Sequence, residues 1–150
     1  MLTKEFNFLT KQISEAEFWQ QIKRNIPKEV HASRIENTSG AGISDVSAAR
    51  KGSQEVWLEL KVNHGSNVHF RNSQRSWITA RTAAGGRVLA VVKIGDSVGV
   101  YSAASVLECP YTHIKDRKAF YVKVQDMPEP IFLSVGRTDW SSFWSAVFGG

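Results

Sequence analysis

The segment VWLELK, residues 56–61, constrains the fold more than any other stretch of the chain. Its apolar residues favour a partly buried β-strand, yet it also carries one acid, Glu59, and one base, Lys61. Side chains two residues apart on a strand point to the same face of the sheet, so the carboxylate and the ammonium group lie side by side. A buried charge requires partners. The interpretation of this strand therefore depends on which other residues join the pair.

The rest of the chain alternates helix-like and strand-like segments. A capping-box pattern at Ser14 and Glu17, followed by apolar residues at helical spacing, predicts a first helix over about residues 14–26. A second helix is predicted in RNSQRSWITARTAA, with Asn72 or Ser73 as its N-cap. Strands are predicted in VHASRIEN, DVSAAR, EVWLELKV, RVLAVVKI, SVGVYSAAS, AFYVKVQ and PIFLSV. The segment NHGSNVHF is interpreted as an irregular loop, and DWSSFWSAVF as a terminal helix.

This order of elements predicts an α/β fold with a central mixed β-sheet flanked by helices. The chain has 150 residues, so residues 1–150 are interpreted as a single domain. No run approaches the roughly 20 apolar residues that a membrane span needs, and the N-terminal segment lacks the apolar centre of a signal peptide. The single cysteine, Cys109, excludes an internal disulfide. We expect a cytoplasmic protein with no membrane partner.

A second carboxylate is predicted to lie close to Glu59. Asp45 begins the strand before VWLELK, and the KGSQ turn predicts that the two strands pair as a hairpin. Neighbouring carboxylates repel each other unless a positive charge lies near them. Mg²⁺ binds a few carboxylate oxygens and keeps several waters, and Mn²⁺ can substitute, so Asp45, Glu59 and the Leu60 carbonyl are predicted metal ligands. Lys61 is then placed to orient or activate a water and to stabilise charge on a phosphate.

A purely structural interpretation of Glu59 and Lys61 stays open, since such pairs on strands often form only a solvated or cross-strand ion pair. Three features favour a chemical role. A glycine-containing loop and Asp45 precede the strand, while Trp57 and Leu60 favour a half-buried position. The strand also leads directly into a basic segment.

That basic segment, residues 60–95, contains no acidic residue. Together with the net charge of +5, its one-sided charge produces a field that attracts a polyanion. A basic surface without a specific partner is the alternative. The residues predicted to contact nucleic acid are Arg71 and Arg75 on the second helix, Arg50 and Lys51 at the hairpin turn, and His64 and His69 in the loop after Lys61.

The stretch SGAGISDV…VWLELKV…FRNSQRSWI, within residues 31–101, resembles the PD-(D/E)XK nuclease superfamily, in particular its VRR-NUC-like and phage Holliday-junction-resolvase-like members. The family pattern is a G-x-P-D strand start, a strand with E-x-K, and a helix that begins near a glutamine. The E-x-K motif matches at residues 59–61, and Gln74 matches the glutamine. Ser44 stands where proline is usual, which affects the stiffness of the loop more than its chemistry because Asp45 is retained.

The resemblance implies a restriction-endonuclease-like fold and an endonuclease that depends on Mg²⁺. It implies that Gln74 lies near the metal or the scissile phosphate. It also implies a homodimer, in which two sites cut two strands of branched DNA.

The resemblance further implies an acid upstream of Asp45, and three residues compete for this position. Glu36, nine residues before Asp45, is the first candidate as a metal ligand and catalytic residue, although it can equally pair with Arg34 on the surface. Glu15 and Glu17 on the first helix are rivals. Glu17 is explained by the capping box, and Glu15 by the favourable interaction of an acid with a helix N-terminus.

These observations predict a Mg²⁺-dependent DNA endonuclease, structure-selective for branched DNA such as Holliday junctions. A nuclease of the same fold with another DNA target, of nicking or restriction type, is the first alternative. A nucleic-acid-binding module whose acid–base pair is only structural is the second. A phage-encoded enzyme that acts in the host cytoplasm also stays open.

Overall fold

The computed structural model describes residues 13–36, 40–63 and 65–149. Its helices are α1 (Glu15–Lys23), α2 (Asn72–Ala83), α3 (Ala103–Leu107) and α4 (Trp140–Val147). Its strands are β1 (Val30–Arg34), β2 (Val46–Arg50), β3 (Val56–Asn63), β4 (Asn67–Arg71), β5 (Arg87–Ile94), β6 (Ser97–Ser102), β7 (Thr112–Ile114), β8 (Ala119–Lys123) and β9 (Phe132–Ser134). A short 3-10 turn, Val124–Asp126, follows β8. None of the helices in these ranges is long and apolar enough to cross a membrane.

Six strands form one mixed sheet in the order β1-β2-β3-β5-β6-β9. Strands β3 and β5 are parallel, and the other neighbouring pairs of this sheet are antiparallel. Helix α2 lies in the connection between β3 and β5, because parallel neighbours need a crossover. The predicted fold class, a single α/β domain with a central mixed sheet flanked by helices, is confirmed. Its extent over residues 1–150 stays a prediction.

The main sheet is covered on both faces, since the side chains of β3 and β5 alternate between two hydrophobic cores. Leu58 and Leu60 belong to the first core, which they share with residues of α1 and α4 such as Phe18. The opposite face packs against α2, α3 and a second sheet, and this second core includes Ile78, Ala90, Phe70 and Phe120. Long apolar runs in the sequence are typical of strands buried on both faces.

The prediction that NHGSNVHF is an irregular loop is wrong. Its second half begins β4, which belongs to a three-stranded antiparallel sheet in the order β4-β8-β7. Val68 and Phe70 are buried and alternate with exposed His69 and Arg71, as on a strand with one solvated face. Two buried residues give a weak signal when the partner strand lies far along the chain. The segment SVGVYSAAS was also mispredicted in part, because it leaves the sheet after Ser102 and continues as α3.

The helix starts agree with the predictions in one case and differ in the other. Ser14 and Glu17 form the predicted capping box, since Ser14 Oγ accepts from the Glu17 N–H at 3.1 Å and Glu17 Oε1 accepts from the Ser14 N–H at 3.2 Å. Helix α1 nevertheless ends earlier than expected. The N-cap of α2 is Arg71 rather than Asn72 or Ser73, because β4 runs directly into the helix.

Candidate active site

Strand β3 carries the acid and the base into the space between the main sheet and α2. Glu59 and Lys61 share one face of the strand, and Nζ of Lys61 lies 3.5 Å from Oε2 of Glu59. Glu59 is fully buried and Lys61 is only 7% exposed. The ammonium group also lies over the ring of Phe70, 4.7 Å from its centroid. A buried ion pair is stable only with further hydrogen bonds, so the partners of this pair decide its role.

Gln74 supplies those hydrogen bonds from the first turn of α2. Its Nε2 donates to Oε2 of Glu59 at 2.8 Å. Its Oε1 accepts from Nζ of Lys61 at 2.9 Å and from the main-chain N–H of Arg71 at 2.9 Å. Gln74 is itself buried. The structure thus brings together three residues that the sequence motif separates, and they form one closed polar cluster, Glu59–Lys61–Gln74.

Asp45 completes this end of the hairpin. The β2–β3 register pairs Val46 with Leu58, so Asp45, one residue before β2, faces Glu59 across the hairpin. Oδ2 of Asp45 accepts a hydrogen bond from the main-chain N–H of Leu60 at 2.7 Å. That bond fixes the carboxylate beside the polar cluster. A metal-binding role for the Leu60 carbonyl stays a prediction.

The pKa of Glu59 reflects its burial and the charges around it. Burial raises this pKa from its ordinary value near 4.5 to about 8, against the opposing effect of the Lys61 ammonium group. The neighbouring carboxyls of Asp45 and Glu15 raise it further. A hydrogen bond between the Glu59 and Asp45 carboxyls also raises this pKa, because it favours the protonated form of Glu59. A second positive charge beside the two carboxyls would favour their ionised forms.

The donor set fits a hard divalent cation. Asp45 and Glu59 offer carboxylate oxygens at adjacent positions. Mg²⁺ and Mn²⁺ bind such oxygens, and Mg²⁺ in particular keeps several waters, so it does not require a complete cage of protein ligands. Within residues 13–36, 40–63 and 65–149, no three His, Cys, Asp or Glu side chains gather closely enough to form such a cage. The residues present therefore fit a cation that is held by two carboxylates and solvent.

The three upstream acids lie in different surroundings. Glu15 is exposed at the start of α1. Protein atoms around its carboxyl nevertheless displace part of the water near it, and this burial raises the pKa of Glu15. The same carboxyl interacts with the charges of Lys61 and Asp45. Glu17 is engaged in the capping box. Glu36 is exposed after β1, and it is its neighbour Ile35 whose N–H donates to the Asp45 carbonyl. Electrostatics thus link Glu15 to the site.

The two arginines predicted on α2 have different surroundings. Arg71 is exposed next to the polar cluster, and its charge acts on the pKa of Glu15. Arg75 is turned into the fold, where its guanidinium group lies 4.6 Å from the centroid of the Tyr111 ring and donates to the Leu107 carbonyl at 3.2 Å. Arg75 therefore covers the second core rather than facing solvent freely.

The remaining residues predicted to contact nucleic acid lie apart from one another. Arg50 and Lys51 are at the end of the β2–β3 hairpin away from the carboxylates. His69 is exposed on β4, with its ring centroid 5.6 Å from that of Tyr121. His64 lies outside the described residues. Sequence reasoning did not identify Tyr121, because its place beside His69 depends on the β4–β8 pairing.

The loop before β2 touches the start of α2 at Gly42. Gly42 has a φ of +76°, and a Cβ atom at this position would overlap the Ser73 carbonyl and lie 2.6 Å from the main-chain nitrogen of Gln74. A residue with a side chain cannot occupy this position unless the loop or the helix start moves. Gly42 therefore sets the distance between the loop that carries Asp45 and the helix that carries Gln74.

We expect Gly42→Ala to lower the free energy of unfolding by about 3 kcal/mol. The alanine would have to adopt a positive φ, and its Cβ would overlap the start of α2. Gly40→Ala is the matched control, because Gly40 also has a positive φ (+71°), but no atom of the described part of the chain lies within 4 Å of the added Cβ. The control should lose only about 1 kcal/mol. Urea unfolding measures both changes, and equal losses would contradict the close approach.

Because the pKa of Glu59 is raised, we expect the free energy of unfolding to fall as the pH rises from about 4.5 to about 8. In this pH range the folded state holds a proton on Glu59 that the unfolded state has released. Each pH unit therefore lowers the free energy of unfolding by up to about 1.4 kcal/mol. Glu59→Gln cannot ionise and should remove this slope, whereas Glu17→Gln should retain it. Urea unfolding in EDTA across this range measures the difference. The prediction fails if the wild type and Glu59→Gln give parallel pH profiles.

The comparisons with known proteins bear on the fold. No protein-family model matches the chain, and comparison with curated proteins gave no match. A similar solved structure is that of Hjc, a Holliday junction resolvase from the hyperthermophilic archaeon Archaeoglobus fulgidus. The TM-score is 0.52 and the sequence identity is 12%, over 87% of this chain and 97% of that one. At this identity the similarity shows that the chain shares the fold of that resolvase.

Proposed function

We propose that this protein is a metal-dependent DNA endonuclease of the PD-(D/E)XK superfamily. The observation that carries the proposal is the buried carboxyl of Glu59 beside the carboxyl of Asp45, in a cluster whose one nearby ammonium group is that of Lys61. A structural ion pair needs one acid for one base, whereas here two neighbouring carboxyls share a single ammonium group, and a second positive charge would stabilise their ionised forms. The fold shared with an archaeal resolvase supports the same proposal.

Asp45 and Glu59 are the proposed ligands of Mg²⁺, for which Mn²⁺ can substitute. When bound, the ion supplies Lewis-acid polarisation of a phosphate oxygen and lowers the pKa of a coordinated water. Glu59 must lose its proton to serve as a ligand. Because its pKa is raised to about 8, the affinity for the ion should increase with pH up to that value.

Lys61 is the proposed electrostatic catalyst. Its ammonium group is nearly buried and is held by the Gln74 oxygen at 2.9 Å, so its position is fixed before a substrate arrives. A preorganised cation in a site that excludes water stabilises negative charge that develops on a phosphate more strongly than a mobile one does. Gln74 is the proposed positioning residue, because it contacts both Glu59 and Lys61 at once.

Branched DNA is the proposed substrate, with cleavage by a homodimer that carries one site in each protomer. The sequence resemblance to phage resolvases supports this choice, and the structural neighbour is itself named a Holliday junction resolvase. A nicking or restriction-type enzyme would use the same chemistry on another DNA. A binding module would place the same residues in a structural role.

The test incubates the protein with a synthetic four-way junction, a linear duplex and single strands, in Mg²⁺ or in EDTA. We expect junction cleavage only with Mg²⁺, no cleavage by Glu59→Ala, and at least about 100-fold slower cleavage by Lys61→Ala. Circular dichroism confirms that the variants fold. Equal cleavage of every DNA would remove the branch selectivity. Binding without cleavage by the wild type would overturn the nuclease proposal.

Glu15 is the proposed third acid of the site. We expect Glu15→Gln to slow cleavage by about tenfold or more and to weaken Mg²⁺ binding, because its carboxylate contributes negative charge near Asp45. Glu36→Gln is the matched control and should leave both unchanged, since the charges that act on Glu59 include that of Glu15 and not that of Glu36. Single-turnover rates as a function of Mg²⁺ concentration distinguish the two. A loss with Glu36→Gln alone would restore Glu36 as the upstream acid.

A further inference from the structure

The second sheet presents one solvated face, which we call the outer face. Along β4 and β8, Val68, Phe70, Phe120 and Val122 point into the second core, and the side chains between them are exposed or half-buried on the other face. The register of the three strands places the other side chains together on the outer face, which consists of Asn67, His69, Arg71, Ala119, Tyr121, Lys123, Thr112 and Ile114. His69 and Arg71 were predicted to contact nucleic acid, but the face they share with β8 was not predicted, because β4 and β7 were not recognised as strands.

Aromatic rings and cations are combined on the outer face. His69 and Tyr121 are directly opposite each other, with ring centroids 5.6 Å apart. Lys123 lies one row to one side of this pair and Arg71 one row to the other. None of the outer-face residues is acidic. Rings in the centre with cations on both sides are the features that hold single-stranded nucleic acid, since bases stack on the rings and phosphates pair with the cations.

A basic turn extends this surface. Residues 115–118, KDRK, join β7 to β8, and all four are exposed. Asp116 and Lys118 adopt positive φ values of 65° and 49°, conformations that cost energy outside glycine. The turn is fastened to the start of α2, because the Asn72 N–H donates to the Lys118 carbonyl at 2.9 Å. Lys118 is therefore held near Arg71.

The outer face leads directly to the candidate active site. Arg71 is the last residue of β4, and its main-chain N–H donates to Gln74 Oε1, the same oxygen that accepts from Lys61. Burial raises the pKa of Glu15, and the charge of Arg71 is among those that oppose this effect. A strand lying across Lys123, Tyr121 and Arg71 would thus reach the carboxylates without crossing an acidic surface.

We infer that the outer face binds unpaired nucleotides of the DNA strand that is cut, with Tyr121 and His69 as the stacking platform. The inference rests on the proposed function and specifies its substrate: a branched DNA with at least a short single-stranded segment next to the scissile phosphate. A paired duplex hides the faces of its bases, so it would gain from the cations but not from the rings.

The experiment measures binding by fluorescence anisotropy in EDTA, which prevents metal-dependent cleavage. The probes are a labelled oligothymidylate of about 15 nucleotides and a duplex of the same length. We expect Tyr121→Thr to weaken single-strand binding about tenfold and duplex binding less than twofold, because one stacked base contributes on that order. Tyr121→Phe keeps the ring and should bind like the wild type. Lys123→Glu should weaken binding to both probes, and Lys28→Glu, an exposed charge change before β1, should not.

The inference is overturned if Tyr121→Thr binds the single strand as the wild type does, or if it loses affinity equally for both probes. It is also overturned if the wild type prefers the duplex. The cleavage assay with Glu59→Ala is read separately. If single-strand binding depends on Tyr121 but no DNA is cleaved, the outer face stands as a binding surface and the nuclease proposal fails. If DNA is cleaved but single-strand binding does not depend on Tyr121, the nuclease proposal stands and the inference about the outer face fails.

Discussion

The surrounding structure must compensate for the burial of the Glu59 carboxyl. This carboxyl lies in a sheet between apolar strands, where a charge is tolerated only if neighbouring groups hydrogen-bond to it. Gln74 meets this need from α2, and the same amide also binds Lys61 and the main chain of Arg71. Since Arg71 ends β4, this one cluster ties the main sheet, the crossover helix and the second sheet to each other.

The local sequence pattern is sufficient to predict part of the fold and part of the site. Alternation along β3 predicts that Glu59 and Lys61 share a face, because it requires only the period of a strand. The capping box at Ser14 is equally local and is found as predicted. Gln74 is different, since no periodicity points to its contact with β3. Its place came from a resemblance to a family.

Long-range packing explains what the sequence did not reveal. Arg71 and Arg75 are the same residue type four apart, yet one is exposed and the other lies over Tyr111, which comes from a distant segment. Strand β4 is short, and its partner β8 follows three more strands and two helices. The upstream acid shows the same limit. Glu36 is nearer to Asp45 in sequence, but Glu15 is the acid whose charge interacts with it.

Asp45, Glu59, Lys61 and Gln74 all come from residues 45–74, whereas β5, the parallel neighbour of β3, comes later in the chain. Contacts between segments close in sequence form quickly, because short loops lose little entropy on closing. The β2–β3 hairpin can therefore meet the start of α2 before β5 arrives as the parallel neighbour of β3. In the unfolded chain Glu59 is hydrated and ionised at neutral pH. Burial of Glu59 is thus coupled to proton uptake, and folding around β3 is a protonation step as well as a packing step.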